Sequence, residues 1–351
     1  MSRYMRSSYQ PLVAYVPGEQ PRDMAYIKLN TNESPYPPAP QVLSAVNAEQ
    51  IRLLRLYSDP TCLALRQKIA AQTGLQPENI IISNGSDEAL NFVFMAYSEK
   101  GAAFADITYG FYTIYASLHG ANANVIPLEP DFSLDPGKYQ GCEGLIVIAN
   151  PNAPTGLNLS LEDIEGVLQR NPDAVVAIDE AYVDFGGESA LPLLAKYDNL
   201  LVIRTFSKSR CFAGGRLGYI AGSAELIADL EKLRCSTNPF NIDRLALVLG
   251  EATVDADDYY VEKCQEICRT RDRTARQLHD LGLQVLPSKT NFLFVHAGSV
   301  GGEKMYLELK KRAILVRHFP AQRTKDYVRV TIGTPEQMET FVAAVKEIIN
   351  T

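Results

Sequence analysis

The chain has no tryptophan, four histidines, and six cysteines among which no Cys-x-x-Cys pair occurs. None of these residues is spaced as a zinc ligand set, so no metal centre is expected and the thiols read as reduced. No stretch approaches the roughly 20 apolar residues that a membrane span requires. The polar, arginine-bearing segment Met1 to Gln10 has no apolar run behind it, so a secretory signal is not expected. Basic runs are missing too. With 34 Lys and Arg against 41 Asp and Glu, the net charge is −7, which argues against nucleic acid or an anionic membrane as the main partner. Nucleotide loops fail as well: Ala213-Gly214-Gly215-Arg216-Leu217-Gly218 does not complete GxGxxG, and no GxxxxGK[ST] occurs. A cytoplasmic protein is therefore expected, and a local basic pocket for a small acidic ligand stays open.

What is present is ordinary globular material: 351 residues, 46% hydrophobic and 21% charged. That length implies about two domains, each able to bury a core. Residues 1–40 are rich in Pro, Tyr and Asn and read as an extended arm. From 41 to 243, short apolar runs alternate with helical patterns. Ile80 to Ile82, Gly144 to Ala149, Ala174 to Ile178 and Leu200 to Arg204 read as buried strands, with helices after Gly85 and over Ser160 to Arg170. Strands apolar throughout and separated by helices predict an α/β domain with a mainly parallel sheet covered on both faces. Ser58-Asp59-Pro60 is expected to cap a helix whose Cys62, Leu65 and Ile69 share one face. Residues 244–351 read as a smaller α+β domain. It comprises a long charged helical stretch to about Leu281, strands at Leu283 to Leu286, Asn291 to Val295 and Val328 to Ile332, and a helix over Gly302 to Arg312. A last helix is capped at Thr334, with Met338, Phe341, Val345 and Ile348 inward.

The chemistry concentrates in the large domain. Val175-Val176-Ala177-Ile178-Asp179 puts a carboxylate at the end of an apolar strand, where it needs a cationic partner or a strong donor. Lys208 lies in the turn after the strand Leu200 to Arg204. A lysine held among cations and apolar walls has a lowered pKa and can act as a nucleophile. Arg216 adds a fixed positive charge nearby. In α/β sheets the ligand crevice lies at the carboxyl ends of the strands, where all three fall.

Four segments stand in order: Asn150-Pro151-Asn152-Ala153-Pro154-Thr155-Gly156, Asp179-Glu180-Ala181-Tyr182, Thr205-Phe206-Ser207-Lys208-Ser209-Arg210 and Val328-Arg329-Val330-Thr331-Ile332-Gly333. In this order the chain resembles the fold-type I pyridoxal-phosphate aminotransferases, and among them the histidinol-phosphate aminotransferases. The resemblance implies pyridoxal 5'-phosphate as cofactor, Lys208 as the Schiff-base lysine and proton shuttle, and Asp179 as the partner of the pyridinium nitrogen. It implies Tyr182 as the donor to the cofactor's O3′ and Tyr109 as the ring stacked on it. Gly85, Ser86 and Asp87, at a helix start, would cradle the phosphate together with Ser207 and Arg216. Read alone, Gly85-Ser86-Asp87 is a competent N-cap. Tyr57 would reach this phosphate from the neighbouring subunit of a homodimer. Arg329 and Arg317 would grip a substrate anion beneath Tyr15 of the arm.

The reaction implied is amino transfer between glutamate/2-oxoglutarate and histidinol phosphate/imidazole-acetol phosphate, a step of histidine biosynthesis. An aromatic-amino-acid aminotransferase or a decarboxylase of a phosphorylated amino acid would use the same lysine and aspartate. A binding protein that retains the fold would have no need of that lysine. Ala153 departs from the resemblance, since most relatives carry an asparagine there that contacts O3′. That contact then rests on Tyr182, with Asn152 or a water as substitutes. Gly215, where relatives carry a larger apolar residue, is expected to loosen the turn at Arg216.

Overall fold

The computed structural model describes residues 2–350. Its large sheet has seven strands: β2 (Ile80–Ser83), β3 (Ala102–Ala105), β4 (Ala123–Ile126), β5 (Leu145–Ala149), β6 (Val175–Asp179), β7 (Leu200–Thr205) and β8 (Gly218–Gly222), in the order β2-β8-β7-β6-β5-β3-β4. Neighbours from β7 through β4 pair in parallel, whereas β8 runs antiparallel to both β2 and β7. Every residue of β2, β3 and β8 is buried, because helices cover both faces: α3 (Leu63–Thr73) and α6 (Leu161–Arg170) on one, α4 (Gly85–Tyr97), α5 (Phe111–His119) and α7 (Ala224–Thr237) on the other. The expected mainly parallel sheet is therefore present. The antiparallel β8 is an addition to that expectation.

A second sheet of four strands, β12 (Arg317–His318), β13 (Tyr327–Thr331), β10 (Phe292–His296) and β9 (Gln284–Val285), forms the smaller unit. It packs with α9 (Asp257–Asp280), α10 (Gly302–Lys311) and α11 (Pro335–Ile349). Met338, Phe341, Val345 and Ile348 are buried there, and Thr334 and Gln337 cap α11 reciprocally, as their spacing predicts.

Three expectations shift. The arm does not extend to residue 40: β1 (Ile27–Lys28) pairs in parallel with β11 (Ile314–Leu315), and Leu29 lies in the core of the smaller unit. The helix expected after Ser58-Asp59-Pro60 begins instead at Leu63. Asp59 turns back to accept from the amides of Thr61 and Leu63 at 2.9 Å, while Cys62 takes a left-handed φ of 50°. The long charged stretch is two helices, α8 (Arg244–Asp255) and α9. Ala246, Leu247, Ala256 and Tyr260 join the core of the large unit, with α8 against α1 (Pro40–Ala45), α2 (Ala48–Arg52) and α3. We therefore propose the division between the domains inside α9 rather than at 243/244.

Candidate active site

Five parallel or co-directed strand ends converge on one edge of the large sheet. β2 leads through Asn84 into α4, β3 to Thr108 and Tyr109, β5 to the Asn150–Gly156 loop, β6 ends on Asp179, and β7 leads to Ser207 and Lys208. The cavity between them has a volume of about 260 Å³ and is lined by Ser86, Asp87, Tyr109, Asp179, Tyr182, Ser207, Lys208 and Arg216, with Thr31, Glu33 and Ala153. Eight of the residues named from the sequence thus share one wall-to-wall site.

Asp179 sits at its floor, 5% exposed. The phenol of Tyr112 donates to its Oδ2 at 2.8 Å and the Ala181 amide to its Oδ1 at 3.2 Å. No cation pairs with it among the described residues. Burial therefore pushes this carboxyl up to about 6, against the pull of those two donors. A buried carboxylate that faces a cavity without a counter-ion is what a protonated ring nitrogen would complete. Tyr112 carries no sequence signal, because a core tyrosine and a supporting one look alike.

At the opposite end, α4 starts with its first-turn amides uncapped by a side chain. The Asn84 side-chain amide points to the Asn241 carbonyl at 3.2 Å instead. The N-cap reading of this segment therefore fails, and the free N–H groups with the positive helix end face the cavity beside Ser207 and Arg216. Arg216 pairs with Asp87 at 3.1 Å, and the Tyr109 phenol donates to the same carboxylate at 2.7 Å. Gly85 has φ +74°, and a Cβ there would stand 2.5 Å from the Arg216 guanidinium. The cradle is backbone, helix dipole, hydroxyl and guanidinium, a donor set that fits a phosphate.

Gly218 of β8 shows no sign of a role in the sequence alone. In the structure a Cβ there would lie 2.8 Å from the Gly85 carbonyl carbon and 2.9 Å from the Ser86 nitrogen, so only glycine lets the helix start seat on the sheet. Gly218→Ala is expected to cost about 1–3 kcal/mol of stability and to weaken cofactor affinity. Denaturant titration and equilibrium cofactor binding measure the two. Gly215 does not loosen its turn: the Phe212 ring fills the place of its missing side chain, 1.9 Å from where a Cβ would be.

Lys208 is half-buried. Its Nζ donates to the Thr31 carbonyl at 3.3 Å and lies 5.9 Å from the centre of the Tyr182 ring. The turn that carries it is fixed from beneath. Ser209 donates to Asp184, and Arg204 pairs with Glu180 at 2.8 Å and with Asp184 at 2.9 Å. Asn152 is not at the cavity. Its Oδ1 accepts from Thr108 at 2.8 Å, and its Nδ2 donates to the Ile107 carbonyl at 2.9 Å and to Thr155 at 3.0 Å. The loop fold consumes that amide, so Asn152 does not supply the donor that Ala153 lacks.

A second cavity of about 630 Å³ adjoins the first through Thr31, Tyr109, Ala153, Tyr182 and Lys208, and holds Tyr15, Arg317 and Arg329. Arg317 donates to the carbonyls of Val16 and Pro17 at 3.2 and 3.3 Å; Arg329 donates to that of Asn30 at 2.9 Å. The Nε of Arg329 is buried without a partner among the described residues, and burial lowers the guanidinium's pKa. Guanidiniums whose hydrogen bonds go to backbone carbonyls keep their charge available to an anion in the cavity, although the Glu19 carboxylate also lies within electrostatic reach of Arg317. Tyr57 lies apart: it is 78% exposed, stacked on Phe240 at 4.4 Å, and lines neither cavity.

The sequence profile of the family "Aminotransferase class I and II" matches residues 25–345. The histidinol-phosphate aminotransferase of Marinomonas sp. is 47% identical over 99% of this chain and 100% of its own length. That of Clostridium acetobutylicum is 45% identical over 99% and 100%. The chain belongs to the class I and II aminotransferases, in the histidinol-phosphate aminotransferase branch. Among solved structures, the histidinol-phosphate aminotransferase of Sinorhizobium meliloti in complex with pyridoxal-5'-phosphate superposes with a TM-score of 0.83 at 26% identity, covering 93% of this chain and 91% of that one. A histidinol-phosphate aminotransferase from Clostridium acetobutylicum gives 0.86 at 24% identity, over 92% and 99%, which speaks for the fold. In this aminotransferase Lys208 and Tyr182 form part of the wall that both cavities share.

Proposed function

We propose that this aminotransferase binds pyridoxal 5'-phosphate and transfers an amino group between histidinol phosphate/imidazole-acetol phosphate and glutamate/2-oxoglutarate, in the cytoplasm, as a step of histidine biosynthesis. One observation carries the reading: Arg317 and Arg329 line the cavity that Lys208 also lines, their hydrogen bonds go to backbone carbonyls, and the buried Nε of Arg329 has no partner among the described residues.

The α4 amides, Ser207 and Arg216 would hold the cofactor's phosphate, Asp179 its ring nitrogen, Tyr109 its face and Tyr182 its phenolic oxygen. The cofactor, when bound, supplies an electron sink that acidifies the substrate's Cα–H. Arg329 and Arg317 grip the substrate's remote anion and so present that Cα–H to Lys208 Nζ, which removes the proton and returns it to the adjoining carbon. Tyr15, tilted on Phe111 with ring centroids 4.4 Å apart, lines the second cavity with the two arginines. Arg317→Ala is expected to lower kcat/KM for histidinol phosphate by roughly 10²-fold, the scale of losing one partner of a charge-assisted pair. Its effect on unphosphorylated histidinol should be small. Steady-state kinetics with both substrates decide; equal losses would remove the phosphate from this assignment.

We infer a homodimer with shared sites. Leu43, Ile51, Leu54, Leu56, Tyr57, Leu63 and Phe240 are large apolar side chains exposed on one stretch of the chain and its neighbour, a pattern that marks an association surface. Lys208→Ala and Tyr57→Ala, each inactive or impaired alone, should recover activity when unfolded and refolded together, because one site of the hybrid has both residues. No recovery in a mixture shown to contain the hybrid contradicts shared sites.

A further inference from the structure

We propose that Asn32 is a positioning residue: with Thr331 it forms a one-way hydrogen-bond chain that leaves the Tyr182 hydroxyl proton pointing into the active-site cavity. The proposal rests on the reading that Tyr182 donates to the cofactor's phenolic oxygen.

Asn32 is 1% exposed and takes a left-handed φ of 57°, a conformation that asparagine adopts more readily than most residues. It stands where three parts of the molecule meet. Its backbone N–H donates to Thr331 Oγ1 at 2.9 Å, and its carbonyl accepts from Asn291 Nδ2 at 3.0 Å. Both partners belong to the smaller unit. Its side chain spans the gap to the large one: Thr331 Oγ1 donates to Asn32 Oδ1 at 3.0 Å, and Asn32 Nδ2 donates to Tyr182 Oη at 2.9 Å.

The directions run one way. The Thr331 hydroxyl accepts from the Asn32 backbone amide and gives its single proton to Asn32 Oδ1. That leaves the NH₂ end of the Asn32 side chain facing the phenol. Tyr182 Oη therefore accepts, and its own proton stays free for a partner in the cavity that it lines. Turned the other way, Oδ1 would take the phenol's proton and Tyr182 would have nothing to donate. Bonds aligned in series polarise one another, so each donor strengthens the next.

Two features make this chain matter here. Ala153 offers no side-chain donor, and the Asn152 amide is used inside its loop, which leaves Tyr182 as the donor to the phenolic oxygen. Thr331 also stands two residues beyond Arg329 on β13, so the two side chains share a face of that strand. The strand that grips the substrate's anion thus also orients the phenol at the cofactor.

The test is the pH titration of the near-visible absorption band of the cofactor-loaded protein. A donor at the phenolic oxygen draws negative charge there and lowers the proton affinity of the nitrogen beside it, so losing the donor raises the midpoint. Tyr182→Phe is expected to raise it by roughly one pH unit. Asn32→Gly, which keeps the left-handed backbone and deletes the amide, should raise it in the same direction. Thr331→Val should do likewise, and Thr331→Ser should titrate as wild type. Asn32→Gly added to Tyr182→Phe should shift nothing further. A wild-type midpoint in Asn32→Gly, or additive shifts in the double variant, overturns the proposal while the role of Tyr182 stands. No shift in Tyr182→Phe removes the underlying reading and the proposal with it. Thermal unfolding of each variant checks the fold, and Thr331→Val answers the question if Asn32→Gly does not fold.

Discussion

Lys208→Ala is expected to reduce kcat for amino transfer by about 10⁴-fold or more, the combined scale of a lost general base and a lost covalent anchor. The expectation follows from where the side chain stands. Its Nζ is held by the Thr31 carbonyl at 3.3 Å and above the Tyr182 ring, on the wall shared by both cavities. Among the described residues no other lysine lines either cavity, so no second amine stands ready to take over the proton. Because the surrounding turn is anchored by Ser209 on Asp184 and by Arg204 on Glu180, the truncation should leave the fold and the phosphate cradle intact. Cofactor affinity should fall much less than kcat, and a small primary amine should restore part of the rate by entering the space left behind. Stopped-flow and steady-state rates with and without methylamine measure this. A variant with more than a tenth of wild-type kcat would contradict the role.

Asp179→Asn is expected to lower kcat by roughly 10²–10³-fold, the scale of removing one preorganised charge from a dry site, and yet to stabilise the protein without cofactor. The carboxyl has an ordinary value of 3.8 and is pushed up to about 6 by burial. Below pH 3.8 it is protonated in both folded and unfolded chains and costs nothing. As pH rises from 3.8 to 6 the unfolded chain releases its proton while the folded one retains it, so this group's contribution to stability falls. Above pH 6 the full penalty remains, about 3 kcal/mol. The neutral amide removes it. Without cofactor, Asp179→Asn should therefore gain stability over wild type at pH 7.5 and show no gain at pH 3.5. Cofactor should raise the melting temperature more in wild type than in the variant, because only the carboxylate gains a charged partner. Denaturant unfolding at the two pH values, with and without cofactor, tests both signs; a variant less stable than wild type at pH 7.5 contradicts the account.

Much of this is legible in the sequence because the informative residues sit at strand ends. Apolar runs such as Ala174–Ile178 and Leu200–Arg204 give the buried parallel strands, and the residues that follow each run fall on one edge of the sheet. The pattern fails where tertiary packing decides. β8 contains Gly218 and Gly222 and carries no strong strand signal; it is a strand through its pairing with β2 and β7, and Gly218 leaves room for the start of α4. β4 has three exposed residues at the sheet's edge and so no apolar run. α3 starts later than its sequence suggests, since Asp59 satisfies the amides of Thr61 and Leu63 from a turn rather than as an N-cap. At the site, Lys208, Asp179 and Arg216 are readable from position and charge. Tyr112 and Asn32 are not, because each acts through one hydrogen bond to a residue far away in the chain: Tyr112 to Asp179 and Asn32 to Tyr182. Asn152 shows the converse. It stands in a recognisable motif, but its amide serves the loop.

The central claim is that one cavity joins an amine at Lys208 to an anion receptor at Arg317 and Arg329, so that a phosphorylated amino compound reacts at the amine end. The most direct measurement is a single turnover: cofactor-loaded protein mixed with histidinol phosphate in the absence of any keto acid, followed by near-visible absorbance and by analysis of the products. The account predicts complete loss of the starting band, with one imidazole-acetol phosphate formed per site, and a much slower change with histidinol at the same concentration. An unchanged band with histidinol phosphate, alongside a rapid change with an unphosphorylated aromatic amino acid, would contradict it.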